Sequence, residues 1–552
     1  MSLPGLLWIT ANAGGWRRFR TALKNPEKVQ AALLRGYLRR NAETAFGKAH
    51  GFSAIRSVQE FQDRVPLAGY AEMEPWITRV AAGEKAVLTR SPVRTLEVTS
   101  GSSAAAKRIP YTAEMQVEIR RAVAPWVFDL YKDRPRLALG SSYWSITPLE
   151  MAEEKDGGAV KVGFEEDAEY LGGFWKRLVD STLAVPGSVR FLRDVAAFRY
   201  ATLLFLLRRP DLALISVWHP SFLILLMRSL PGFWADLLRD LESGTEIAER
   251  NLRPQPRRAA ELRRLAPDAL TRIWPRLGLI SCWGDAHAAL HLDEVRRAFP
   301  GVEIQPKGLL ATEAFVTLPF AGKAPLAIRS HFFEFLAEGA ERPRLAHELV
   351  PGEVYSIMAT TGGGLYRYRL EDRVEVTGFA ERTPSLRFLG REGHVSDLRG
   401  EKLHESFVAG ALVRAFRKLG VAPRFALLAP EDEEDEAPRY VLFVESREPV
   451  PPGLAPAVEE ELAANPHYRA CVALGQLAPA AVFAVEGEAF PHYLERCRER
   501  GQRLGDVKPL ALSAESGWGG VFPGRTVRRD ERDGRDSKDE QQERLNRDPF
   551  SR

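Results

Sequence analysis

The stretch "TSGSSAAAKRIPYT", Thr99–Thr112, sets hydroxyl side chains, Gly101 and Lys107 between the apolar run "VRTLEV" and a segment with helical spacing. The alternation before it predicts a strand. Beyond Thr112, a suitable helix cap, Met115, Ile119, Val123, Trp126, Val127 and Leu130 recur at about helical intervals. A strand that runs into a polar loop and then a helix is the layout of a layered α/β protein, whose ligands gather in the loops after strands. This loop carries the groups that hold a polyphosphate, because backbone N–H groups and hydroxyls donate to phosphate oxygens while a lysine offsets their charge. It is not the common P-loop, which would need glycine where Ala106 stands and a hydroxyl residue where Arg108 stands. Read alone, it also fits a serine-rich turn that caps a helix.

Working outward, residues from about Val29 to Val87 show helical spacing. The segment "FRYATLLFLLRRPDLALISVWHPSFLILLMRSL" is broken by Arg208, Arg209, Asp211 and Pro220 before either half reaches the roughly 20 residues of a membrane span, so it reads as helix, buried strand and helix. "LGLISCWGDAHAALHLDEVRRAF" and "VEIQPKGLLATEAFVTLPF" read as further strand-loop-helix passages. From Glu353 the texture turns β-rich, a small β-region at a domain edge, and beyond Ser396 an α+β segment includes a hairpin, "FALLAP" and "RYVLFVE", around the acidic loop "EDEEDEA". These boundaries give a large domain over 1–391, a small one over 392–515 and a charged, disordered tail over 516–552.

With 552 residues, 45% hydrophobic and 27% charged, the chain can bury a large core. A net charge of +4 on 77 basic and 73 acidic residues supplies no broad basic field for nucleic acid. Three separated cysteines without C-x-x-C spacing argue against a disulfide framework or a zinc site and fit a reducing cytoplasm. The N-terminal segment lacks the order of an export signal and reads as an amphipathic surface helix. G-x-S-x-G and H-E-x-x-H are absent, which disfavours a nucleophilic or zinc hydrolase.

Further stretches carry chemistry. In "GLLATEAF", Thr312 and Glu313 pair a hydroxyl with a carboxylate, which suits a magnesium ion shared with phosphate oxygens or, equally simply, a helix cap. In "YRYRLEDRVEV", Asp372 can accept two hydrogen bonds from a ribose diol or sit in a turn. Arg391, beside two glycines in "FLGREGHVSDL", marks a hinge or a plain linker, and Lys508 in "GQRLGDVKPLALS" is a late lysine in a strand-like context.

In that order, these stretches resemble the adenylate-forming enzymes and, within them, the auxin-responsive Gretchen Hagen family of acyl-acid amido synthetases, particularly its bacterial-type members. Thr99–Pro110 matches T-S-G-[ST]-[ST] with its downstream Lys and I-P; Lys307–Ala314 matches K-G-L-x-[AS]-[TS]-E-G; Gly364–Phe379 matches G-L-Y-R-Y-R-[VL]-G-D-x-[VL]-E-V-x-G-F. The likeness runs from about Trp16 to Ser513. It implies a large N-terminal α/β domain with a β-region and a smaller, mobile α+β C-terminal domain. It also implies ATP and Mg²⁺: Ser100, Gly101, Ser102, Ser103 and Lys107 on the phosphates, Tyr368, Arg369, Asp372 and Arg391 on the nucleotide, Thr312 on the α-phosphate or metal, Glu313 on Mg²⁺, and Lys508 near the α-phosphate in one domain orientation. Trp218, His219, Ser221 and Trp283 would line an apolar acid pocket. The substrates would be a small carboxylic acid and an amino acid or other amine, handled by a monomer without nucleic acid or membrane. A coenzyme A-dependent ligase or a non-catalytic nucleotide-binding member fits the same motifs. Three departures stand out: Ala104, Ala314 and Glu371 replace motif glycines, and Glu371 would set a second carboxylate against the phosphates.

Overall fold

The structure, a computed structural model, describes residues 3–99, 107–145, 161–162, 183–192, 194–392, 395–431, 437–500 and 509–527. Among them the chain divides into two compact units, one running to Glu392 and the other holding 395–500 and 509–527.

The first unit opens with helices α1 (Leu3–Ala22) and α2 (Pro26–Asn41). The expected surface helix is packed on one side: Phe19 is fully buried, and the Trp16 indole donates to Asp129 at 3.1 Å. Strand β1 (Thr95–Thr99) then pairs antiparallel with β2 (Lys107–Tyr111), Thr99 opposite Lys107. The sequence reading took the segment after the hydroxyl cluster as loop up to the helix; instead Ile109 and Tyr111 bury their side chains in a strand that tolerates Pro110 because it lies at a sheet edge. Helix α3 (Ala113–Lys132) follows, its first turn capped by the Thr112 hydroxyl accepting from the Met115 N–H.

Four strands, β3 (Ser141–Trp144), β4 (Leu212–Ser216), β5 (Leu279–Cys282) and β6 (Glu303–Pro306), form a parallel sheet in that order. Parallel neighbours need long crossovers. Helices α4 (Val195–Leu207), α5 (Pro220–Ser243) and α6 (Leu292–Ala298) lie within them. Helix α5 is long and apolar enough to cross a membrane by composition alone. Its Leu223, Leu226, Leu230, Leu237 and Leu241 form a helical stripe buried in the core with β4 and β5.

The last expected strand-loop-helix passage is different. After β6 the chain makes an irregular hairpin with Leu310 bridged to Phe315, which puts Thr312 and Glu313 at the tip of a turn and excludes the helix-cap reading. Gly308 permits this: a Cβ there would lie 2.0 Å from the Thr317 carbonyl oxygen. The β-region begins earlier than Glu353. An antiparallel sheet of five strands, β7 (Phe332–Ala337), β8 (Arg344–Leu345), β9 (Val354–Thr360), β10 (Tyr368–Ala380) and β11 (Thr383–Arg391), runs in the order β8-β7-β9-β10-β11 and shares one core with α1–α3.

The second unit is α+β. Strands β12 (Pro423–Glu431) and β13 (Arg439–Ser446) are the expected hairpin, joined by β14 (Ala478–Val485) in parallel, with helices α7 (Glu405–Leu419), α8 (Leu454–Leu462) and α9 (Ala489–Glu499). The expectation of a disordered tail from residue 516 is corrected over 516–527: Trp518 and Phe522 are buried, and β15 (Gly524–Thr526) pairs with β14. Two large aromatics supply the apolar area that the surrounding charges conceal. Residues 432–436 of the acidic loop and 528–552 lie outside the described residues.

Candidate active site

The hairpin tip, the start of β2 and the middle of the β10–β11 pair converge on one buried charged cluster. Their approach is set by Glu118, in the middle of α3 and 2% exposed. Its carboxylate accepts from the Tyr37 hydroxyl at 2.7 Å, the Gly362 N–H at 2.8 Å and His331 Nδ1 at 2.9 Å. The Phe315 N–H meets His331 Nε2 at 3.1 Å, so one acid ties the helix to the β9–β10 connection and, through the imidazole, to the hairpin. Gly364 completes that connection at φ +98°, where an added Cβ would strike Leu88. Beneath it, Arg367 is buried against Glu334 and reaches the carbonyls of Gln62 and Val65.

Lys107, expected in the loop, is the first residue of β2, and its buried ammonium lies 3.2 Å from Glu371. Glu371, expected to stand against the phosphates, is in this structure the counter-ion of the lysine. Glu371 holds φ +62°, the left-handed region that glycine occupies without cost. Asp372, 4% exposed, pairs in register with Arg391, their Oδ1 and Nε 3.5 Å apart. Burial raises the Glu313 carboxyl above its ordinary range, and Arg391 and Lys107 offset this only in part. Burial opposes the Arg391 charge, yet Asp372, Glu313 and Glu371 raise its pKa overall. The Tyr368 hydroxyl lies in the same field, held protonated by burial and by Glu313 and Glu371, and it has no hydrogen-bond partner among the described residues. A buried hydroxyl left without a partner amid paired charges is a candidate contact for a ligand. Lys107 and Glu371 open onto a cleft of about 350 Å³ whose other side is the start of the helix Tyr70–Ala81.

Thus Lys107, Glu313, Tyr368, Asp372 and Arg391 come together, with Thr312 at the tip beside Glu313, its carbonyl held by the Tyr111 hydroxyl at 2.6 Å. Arg369 does not join them: its side chain is exposed and its charge bears on Glu392. Ser100, Gly101, Ser102, Ser103, Ala104 and Lys508 lie outside the described residues. Of the four expected pocket residues, Trp218 and Trp283 meet at 5.7 Å between ring centroids. His219 instead caps α5, its Nδ1 2.6 Å from the Ser221 hydroxyl and 3.2 Å from the Ser221 N–H. Sequence reasoning missed Glu118 and His331. Glu118 falls on the same helical face as Met115 and Ala122, and an acid on an apolar stripe was the available signal. Among the described residues no group of three or more acidic, histidine or cysteine side chains is placed to hold a metal ion.

Three domain profiles of one family match in order: the GH3 family N-terminal domain over residues 15–304, the central domain over 324–391 and the C-terminal domain over 409–516. The chain is 23% identical over 545 residues to indole-3-acetic acid-amido synthetase GH3.6 of Arabidopsis thaliana, covering 88% of each chain. It is also 23% identical over 439 residues to indole-3-acetic acid-amido synthetase GH3.2 of the same plant, covering 71% of this chain and 79% of that one. Its fold is that of the solved AtGH3.15 acyl acid amido synthetase in complex with 2,4-DB, with a TM-score of 0.81 at 21% identity over 92% of this chain and 95% of that one. The family expected from the motifs is the one found, and its N-terminal domain alone spans more than half of the sequence: the chain belongs to the GH3 family.

Proposed function

We propose that this protein is an acyl acid amido synthetase that activates a carboxylic acid with ATP and passes the acyl group to an amine, an amino acid in the first instance. The single observation that carries the reading is the convergence of Lys107 with Glu313, Asp372 and Arg391, all more than 200 residues further along the chain, around the unanswered Tyr368 hydroxyl. A carboxylate is a poor acyl donor because its leaving group would be oxide. Its oxygen therefore attacks the α-phosphate of ATP and pyrophosphate departs; the amine then attacks the acyl carbon of the acyl-AMP, loses a proton and expels AMP. Orientation and charge neutralisation supply most of the acceleration.

In this reading Ser100, Ser102, Ser103 and the Gly101 backbone hold the β- and γ-phosphates with Lys107, which exchanges the Glu371 carboxylate for phosphate oxygens. Asp372 takes the ribose diol, Arg391 orients Asp372, and Tyr368 donates to the nucleotide. Thr312 serves the α-phosphate, and Glu313 is the ligand for Mg²⁺, which when bound supplies charge neutralisation to the polyphosphate. A cation there also answers the electrostatic cost of burying Glu313. Lys508 is assigned to the α-phosphate. Residues 1–391 carry ATP and acid, and 392–515 form the smaller domain. We take the protein to act as a monomer, and its three free, buried cysteines fit a reducing cytoplasm.

The test is carboxylate-dependent exchange of labelled pyrophosphate into ATP with Mg²⁺, across aryl, indolyl and fatty acids. Exchange supported by an acid and lost in Lys107→Ala and Glu313→Ala is the expected result. Failure to bind ATP overturns the reading.

A further inference from the structure

Helix α2 has two working faces. On one, Gln30, Leu34 and Tyr37 are buried, and the Tyr37 hydroxyl donates to Glu118. On the other, Ala32, Arg35, Gly36 and Arg39 recur at helical spacing and form one wall of a groove of about 510 Å³, with residues 52–56 as the opposite wall. Leu38, Phe52 and Ile55, each at most 6% exposed, supply its apolar floor. The groove stays open because Ala32 and Gly36 bring little or no side chain to it. A Cβ added at Gly36 would find only the Arg40 guanidinium, at 3.9 Å, beyond the helix backbone.

Three of the lining residues are arginines and none is acidic. Arg35 and Arg39, neighbours one helical turn apart, make no hydrogen bond, ion pair or ring contact among the described residues. Arg56, on the opposite wall, donates from Nη1 to the carbonyls of Ser53 and Ile55, which fixes the guanidinium while its Nε and Nη2 make no hydrogen bond among the described residues. Glu60 accepts from the Arg56 backbone N–H at 2.8 Å. Like charges that face one groove repel, and an anion between them relieves the repulsion. The groove shares no residue with the cleft at Lys107, whose lining carries both signs, Lys107 with Glu72, Glu74 and Glu371. Its floor continues into the β9–β10 connection, where Phe52 meets Tyr366 edge to face at 5.1 Å.

We propose that this groove is a second ligand site, for a phosphate monoester whose dianion is held by Arg35, Arg39 and Arg56 and whose apolar body lies on Leu38, Phe52 and Ile55. Guanidinium forks match phosphate oxygens in pairs of hydrogen bonds, and a dianion offsets most of three positive charges where a single carboxylate offsets one. A bare phosphate ion would leave the floor and most of the volume unused, whereas a groove of this size suits a small organic molecule. A polyanion would need a basic field that continues beyond the groove, and a net charge of +4 on 77 basic and 73 acidic residues supplies none. The site is independent of the adenylation reading.

The experiment titrates 1-naphthyl phosphate and, separately, inorganic phosphate into the full-length chain by calorimetry. The native chain is compared with Arg35→Gln/Arg39→Gln, which removes charge, with Gly36→Leu, which fills the groove where the backbone leaves room, and with Lys107→Ala, which removes the lysine of the other cleft. Thermal unfolding reports that each variant is folded. The native chain and Lys107→Ala should bind naphthyl phosphate alike, about tenfold or more tightly than inorganic phosphate, and both groove variants should lose about tenfold or more in affinity. No saturable binding by the native chain, undiminished binding in Arg35→Gln/Arg39→Gln, or a loss confined to Lys107→Ala overturns the proposal. Full binding in Gly36→Leu overturns the placement of the body in the groove, and equal affinity for inorganic phosphate overturns the need for that body.

Discussion

Two regions of the first unit, around Lys107 and around Lys307, surround a buried charge with different neighbours. Around Lys107 each charge is answered by another charge: Lys107 by Glu371, Asp372 by Arg391, with Glu313 held above its ordinary pKa where the answer is incomplete. Around Lys307 three indoles lie within 6 Å of the ammonium and add the attraction of their π-electrons to its other interactions. The difference is functional. Ion pairs can be exchanged for a ligand of the same sign as one partner, which suits a nucleotide that comes and goes, whereas packed indoles keep their shape and select by fit.

Several substitutions would break or sharpen this contrast. The largest effect is expected at the scaffold beneath the charged end: Glu118→Ala leaves His331, Tyr37 and the Gly362 N–H without their acceptor, a loss of about 3–5 kcal/mol. The thermal midpoint should fall by about 5 °C or more, read by calorimetry. A shift within a degree would show that Glu118 does not organise the site. Next, Lys107→Ala should lower pyrophosphate exchange by roughly 10²–10³-fold, the usual cost of removing one preorganised charge stabiliser.

Glu313→Gln separates stability from activity. Because burial raises this carboxyl, the folded chain holds its proton more tightly than the unfolded chain. The stability that proton brings is complete below the ordinary glutamate value of 4.5 and is lost as pH rises through the higher folded value. The glutamine should therefore raise the thermal midpoint of the nucleotide-free protein at neutral pH by about 1–3 °C, with the gain shrinking toward pH 4.5, while exchange is abolished. A midpoint lowered at neutral pH would mean that the neighbouring cations outweigh burial.

The smallest effect belongs to Glu371→Gly, which restores glycine at a left-handed position and removes the counter-ion of Lys107. Relief of backbone strain and loss of a partly exposed ion pair, each within about 1 kcal/mol, should leave stability nearly unchanged. The KM for ATP should fall about two- to fivefold as the competing carboxylate is lost, a shift worth under about 1 kcal/mol. A raised KM would instead give Glu371 a direct part in holding the nucleotide or its metal.

Much of the site is legible in the sequence because its parts are local. Thr312, Glu313 and Asp372 sit in short motifs, and the cap at Thr112, the helix after it and the β12–β13 hairpin follow from spacing of 3.6 and 2. What escaped was decided by partners far along the chain. Strand β2 carries Arg108 and Pro110 and looks like loop until its edge position in the sheet is known. Arg369 looks like a nucleotide contact because it adjoins Tyr368, yet neighbouring strand residues face opposite ways. Trp518 and Phe522 are hidden in a charged tail until the second unit supplies a core for them.

By itself, then, the sequence determined the family, the alternation of elements and the identity of the groups available for chemistry, since these depend on residue order and short-range periodicity. Only the tertiary structure decided which charges neutralise one another, that Glu371 holds Lys107, and that four strand ends gather Trp144, Trp218, Trp283 and Lys307. Electrostatic pairing and aromatic packing act through space over a few ångströms, and separation along the chain carries no trace of them.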